Sequence, residues 1–186
     1  MKTPEDIIGF WFSEDSRPRW FKSTPDFDAR ILQLFEDTAE TLAKGPFPYP
    51  EWEGTPDAAL ALIIALDQFP RNMYRGSRRA FTWDERSLGV SERIVERGWD
   101  LELADPDHRK FAYMPFMHAE DLSAQNRCVE LASTRLSDEG STARHAVAHR
   151  DVIERFGRFP HRNAVLGRDS TAEEIEFLEN GGYDPS

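Results

Sequence analysis

Nine consecutive apolar residues, Ala58 to Leu66, constrain this chain more than any other stretch. They follow Thr55-Pro56-Asp57: a capping hydroxyl, a proline at the first helical position, and an acid where the helix dipole favours one. The spacing predicts a helix from about Pro56 to Phe69. It has no polar face, so it must be covered on every side and form the central element of the fold. At nine residues the run is too short to cross a bilayer. Its end breaks an electrostatic rule. Asp67 stands where the dipole disfavours an acid, and a carboxylate ionised there needs a cation. Arg71 is near in sequence, and Arg162 is a candidate in space.

Thr3-Pro4-Glu5 and Thr24-Pro25-Asp26 repeat the same opening, for helices to about Phe12 and Lys44. Gly45-Pro46 stops the second, and the prolines of 45–55 rule out regular structure there. Thr82-x-x-Glu85 and Thr171-x-x-Glu174 read as capping boxes, opening helices to about Arg97 and Leu178. Pro106 starts a helix over about Asp107 to Met114, which Pro115 is expected to interrupt. Another runs from about His118 to Leu136 and gives out at Ser137 to Gly140. Ser141 is expected to cap a helix over Thr142 to Phe156. No convincing period-2 strand appears. The expected fold is all-α: about eight helices joined as antiparallel hairpins, in one domain over residues 1–186.

A net charge of −11 argues against general nucleic-acid binding. The start, Met1 to Asp6, lacks the basic segment of a secretory signal. The single cysteine, Cys128, excludes an intrachain disulfide and suits a reducing compartment, so a cytoplasmic location without membrane association is expected. Cys128 lies in a helical pattern and reads as a small core residue.

Against that acidic background stand two positive islands. Residues 67–81 hold four Arg against Asp67, and residues 144–169 hold six Arg against three acids. The islands echo each other. Arg71-Asn72-Met73-Tyr74-Arg75-Gly76 aligns with Arg162-Asn163-Ala164-Val165-Leu166-Gly167, and Phe-Pro precedes both, at Phe69-Pro70 and Phe159-Pro160. The prolines are expected to end helices, the asparagines to bond their own backbone, and Gly76 and Gly167 to take positive φ. Repeated arginines in a rigid loop can pair with acids of the fold or clamp an anion.

Two further groups carry chemistry. His145, His149, Val152 and Phe156 fall on one helix face, so the histidines are expected to point inward. His-x-x-x-His can hold a metal, but the stronger His-Glu-x-x-His signature is absent, with Ala at 146. His118, Asp121, Leu122 and Gln125 share a face that turns apolar at Val129, which is either the polar mouth of a pocket or a helix emerging from the core. There is no Gly-x-Ser-x-Gly, P-loop, dinucleotide fingerprint or Cys-x-x-Cys, and no cofactor is implied.

Three stretches together resemble a bacterial family, domain of unknown function 924. They are Leu66-Asp67-Gln68-Phe69-Pro70-Arg71-Asn72, Tyr113 to Asp121 (YMPFMHAED), and Arg155 to Asn163 (RFGRFPHRN). The similarity runs from Ile8-Gly9-Phe10-Trp11 to Glu173-Glu174-Ile175. It implies an all-α, tetratricopeptide-like fold and no activity, and it transfers no catalytic residue.

The first functional expectation is a binding protein. Arg71, Arg75, Arg158 and Arg162 would line a site for a small carboxylate or phosphate, or for an acidic peptide. His118, Asp121 and His161 would orient the ligand, with Asp67, Asn72, His149 and Asn163 beside them. The alternative is a hydrolase using His118, Glu120, Asp121, His149 and His161 as acid–base groups or metal ligands. A third is a scaffold for protein partners.

Overall fold

The computed structural model describes residues 1–46, 48–103, 105–136 and 140–183, and all regular structure among them is helical. The first three helices begin where the sequence places them: α1 at Pro4–Trp11, α2 at Pro25–Lys44 and α3 at Pro56–Ile63. The hydroxyls of Thr3, Thr24 and Thr55 accept the amides of Asp6, Phe27 and Ala58, which satisfies donors that a helix start leaves open.

The central helix does not stop at Pro70. It passes without a break from α3 through a π turn, Ile64–Gln68, into α4, Phe69–Met73. A proline in an α-helix lacks a donor and crowds the carbonyl four residues back. Here the turn before it is wider, and the Phe69 amide reaches back five residues to the Ile64 carbonyl. That change of pitch accommodates Pro70 and places Asp67 inside the widened turn. Every residue from Ala58 to Gln68 is buried. The covering comes from α1, α2, α5 (Asp84–Glu96) and α6 (Pro106–His118).

Beyond α6 the chain adds α7 (Leu122–Arg135), α8 (Ser141–Phe156), α9 (Asn163–Leu166) and α10 (Ala172–Glu179). Helices α6, α7 and α8 pack in succession. Gln125 of α7 is fully buried and donates to the Met117 and Ala119 carbonyls, tying down the α6–α7 connection. A main aromatic-rich core surrounds the central helix, with Trp11 edge-on to Phe69 and Phe111. Cys128 is buried in it. A smaller cluster of Val152, Ile153 and Phe159 lies under Phe156, Phe177 and Tyr183. Among the described residues, no helix is long and apolar enough to cross a membrane.

Several boundaries differ from expectation. Pro115 lies inside α6, where burial of Phe111 through Met117 offsets the one ladder bond it removes. His118 therefore ends α6, and Asp121 caps α7 by accepting the Ala124 amide. The Thr82 capping box does not form. Thr82 follows a 3-10 turn, Arg78–Phe81, and its hydroxyl donates back to the Arg78 carbonyl. Gly140, at φ 73°, precedes α8 in place of Ser141. The Thr171–Glu174 box forms as expected. Residues 137–139, where the preceding helix was expected to end, lie outside the described residues.

Candidate functional site

The π turn aims Asp67 at the end of α6. Its carboxylate is 0% exposed and bonds His118 Nδ1 at 2.8 and 3.0 Å, Arg71 Nη1 at 3.1 Å and the Gln68 side-chain amide. Burial pushes this carboxyl up, but Arg71 and His118 outweigh it and hold it at about 2. The same burial, reinforced by Arg71, keeps His118 below the ordinary histidine value, against the pull of Asp67. A neutral His118 then carries its proton on Nδ1, toward Asp67, and a lone pair on Nε2. Nε2 makes no hydrogen bond to a described residue, and the side chain remains 16% exposed.

The two arginines that lead the Arg-Asn echoes converge here on one acid, Asp84, the first residue of α5. Arg71 takes both of its oxygens, each at 2.9 Å. Arg162, from the 3-10 turn Pro160–Arg162 after α8, stands 3.7 Å from the same carboxylate and donates to the His118 carbonyl at 3.1 Å. Arg162 is buried, and its Nε has no hydrogen-bond partner among the described residues. Its guanidinium lies between Phe81 (4.7 Å) and Phe159 (4.5 Å), and Phe81 also touches Arg71 at 5.6 Å. Desolvation, then repulsion from Arg71, lowers Arg162 to about 10, even with Asp84 and Glu120 opposing the shift.

The other expected site residues lie elsewhere. Arg75 is held by Asp28 at 2.8 Å, and Asn72 donates to Asp28 and Ser23. Arg158 is held by Glu174 at 2.6 and 2.8 Å, and Asn163 donates to Glu174 and Ser170. In each copy an asparagine and an arginine are fastened to a serine and an acid flanking the threonine that starts another helix. Arg75 and Arg158 are thus each paired with a carboxylate of the fold. Both asparagines bond side chains across the fold in place of their own backbone. Gly76 and Gly167 do take positive φ, 74° and 69°. Arg78 joins the two loops by donating to the Leu166 carbonyl. Asp121 is an exposed helix cap.

His149 is buried and edge-on to Phe159; its Nδ1–H donates to the His145 carbonyl, while His145 is exposed. Burial drives His149 down to about 3. The His161 ring also lies 5.6 Å from Phe159. His149, His161 and Arg162 are therefore neighbours around Phe159. Among the described residues, no three His, Cys, Asp or Glu side chains are grouped to hold a metal. Glu120, expected as an acid–base group, is committed to Arg168 (2.6 and 2.9 Å) and to the Phe159 amide.

Asp84, Phe81 and Phe159 were not anticipated as site residues. The only sequence signal for Asp84 is an acid in a helix's first turn beside an arginine island, and Glu85 carries the same signal.

A family model described as bacterial protein of unknown function (DUF924) matches residues 7–182, and the chain belongs to that family. The solved structure of a protein of unknown function from Agrobacterium tumefaciens is 37% identical, with a TM-score of 0.87 over 96% of this chain and 97% of that one. No curated protein matches the sequence.

Proposed function

We propose that the chain binds a small anionic ligand at the edge of the cluster formed by Asp67, Arg71, Asp84, His118 and Arg162. One observation carries this: Arg162 is a buried guanidinium without a carboxylate of its own, because Arg71 occupies both oxygens of Asp84. A buried charge lacking a close partner is unfavourable, and an arriving carboxylate or phosphate oxygen supplies what is missing. Arg71, Asp84 and His118 keep 16–19% of their side chains exposed, so the edge they form is reachable. The reading is narrower than the arginine clamp expected from sequence, since Arg75 and Arg158 drop out.

The test is a thermal-shift titration at low salt with acetate and with phosphate, on wild type, Arg162→Met and Arg75→Gln. A ligand at one hundred times its Kd stabilises by about 2.7 kcal/mol, or roughly 5–11 °C for a chain of this size. The shift is expected in wild type and Arg75→Gln and is expected to vanish in Arg162→Met. If neither anion moves wild type, or if the shift survives Arg162→Met, the reading fails.

The Asp67–His118 pair favours a second reading, acid–base catalysis at His118 Nε2 with Asp67 fixing the tautomer. Its mark would be a turnover that His118→Gln abolishes without lowering Tm.

A further inference from the structure

The fixed charges of the cluster already cancel. Asp67 from the π turn and Asp84 from α5 are negative, and Arg71 from α4 and Arg162 from the turn after α8 are positive. Neighbouring groups leave that balance unchanged. His149 of α8 gives its Nδ1–H to a backbone carbonyl, and Glu120, beside His118, is neutralised by Arg168. An anion that pairs with Arg162 still leaves the cluster as a whole with one net negative charge, which is costly away from water. Within the cluster, His118 can answer it. His118 is held at Nδ1 by Asp67, and its Nε2 is unbonded among the described residues, at the exposed edge. A proton on Nε2 makes the imidazole a cation with a donor on each side, Nδ1–H to Asp67 and Nε2–H to the ligand.

Resting on the anion-site reading, we infer that the site takes up a small monocarboxylate together with one proton, which settles on His118 Nε2, and that it therefore discriminates against dianionic phosphate. The proton comes from hydronium in the solvent or arrives on the carboxylic acid itself; one N–H bond forms at Nε2 as one O–H bond of that donor breaks, and no bond to carbon changes. A phosphate dianion brings a second charge that no remaining group in the cluster can offset.

The direction of the pH effect follows from the free state. Burial and Arg71 keep His118 neutral near pH 7 in the empty protein, and a bound carboxylate raises its proton affinity. Between the two values, carboxylate affinity falls about tenfold for each unit rise in pH. Below the free-state value His118 is already charged, and this dependence disappears.

Calorimetric titration of the full chain with acetate, in two buffers of different ionisation enthalpy, measures the proton uptake directly. The expected results are uptake of one proton per acetate at pH 7, weaker binding of phosphate than acetate, and acetate binding without uptake in His118→Gln, whose amide can still donate to Asp67. If that variant does not fold, the imidazole nitrogen resonances of wild type report the same event, with His118 passing from neutral to imidazolium as acetate is added. Acetate binding with no proton uptake, uptake that persists in His118→Gln, or tighter binding of phosphate would each overturn the inference while leaving the anion site intact. Failure of both anions to bind removes the site itself.

Discussion

Asp67→Ala tests whether the polar cluster is held together from its buried end. The substitution removes a fully buried carboxylate from three donors: Arg71 Nη1, His118 Nδ1 and the Gln68 amide. Deleting one member of a buried ion pair costs about 3–5 kcal/mol when the other is left uncompensated. Arg71 is not abandoned, because Asp84 still grips it with both oxygens at 2.9 Å. That places the expected loss at the lower end, about 3 kcal/mol. For a chain of this size the loss corresponds to a Tm drop of roughly 6–12 °C. Thermal and urea unfolding at pH 7 measure it, and Asp67→Asn, which keeps the volume, separates charge from cavity. Acid titration adds a second constraint. The carboxyl sits at about 2 when folded against 3.8 otherwise, so its contribution is complete above about pH 4 and is lost as pH falls through 2. Asp67→Ala should therefore lack that part of the acid limb, roughly 2 kcal/mol. A Tm within about 2 °C of wild type would refute the claim that Asp67 anchors the cluster.

His149 should dominate the milder acid range. Its folded value of about 3 lies below the ordinary 6.5, so its neutral form contributes stability that is complete above pH 6.5 and declines by roughly 1.4 kcal/mol per unit as pH falls toward 3; urea midpoints of His149→Gln should be flatter across that window. Asn163→Ala leaves Ser170 and Glu174 without a donor they now share and should cost about 1–3 kcal/mol by urea unfolding. The same variant should leave the acetate-induced thermal shift of the folded protein unchanged, because Asn163 fastens the loop and does not face the cluster.

The helix starts were legible because each is a local device: Thr3, Thr24 and Thr55 cap their own helices whatever packs above them. Ala58 to Leu66 was legible as the centre because an apolar face on every side admits no other placement. The π turn was not, because nothing local separates a proline that ends a helix from one that a widened turn carries through. The arginine echo was half legible. It located the two loops and brought Arg71 and Arg162 to one place, but a guanidinium's partner is a tertiary fact. Asp28 and Glu174 lie far from Arg75 and near Arg158 respectively, yet both hold those arginines outside the cluster. Asp84, where the inner arginines meet, shares its local signature with Glu85, and only the packing of α5 distinguishes them. Asp121 misled for a related reason: a face counted from His118 presumes one continuous helix, and the chain is extended at Ala119.

The position of Arg162 states the functional question most sharply. The outer clamps at Asp28 and Glu174 fix both loops, and the leading arginines are thereby turned inward against each other. Two like charges then share one carboxylate and one ring, with the cost visible in the lowering of Arg162 to about 10. Structure alone does not require this. Replacing buried ionic groups by apolar residues of similar size is often neutral or stabilising by about 1–4 kcal/mol, which is comparable with about 1.5–3 kcal/mol for the charged hydrogen bond that Arg162 donates to the His118 carbonyl. Arg162→Met keeps the bulk between Phe81 and Phe159 and leaves Asp84 to Arg71. In the absence of anion it should unfold at the wild-type temperature or a few degrees above it, and it should show no anion-induced shift. A residue retained for binding has that signature, stability conceded where a ligand is received. A Tm drop of more than about 6 °C in Arg162→Met would show instead that the guanidinium is a net structural contact, and the case for an anion site would fall with it.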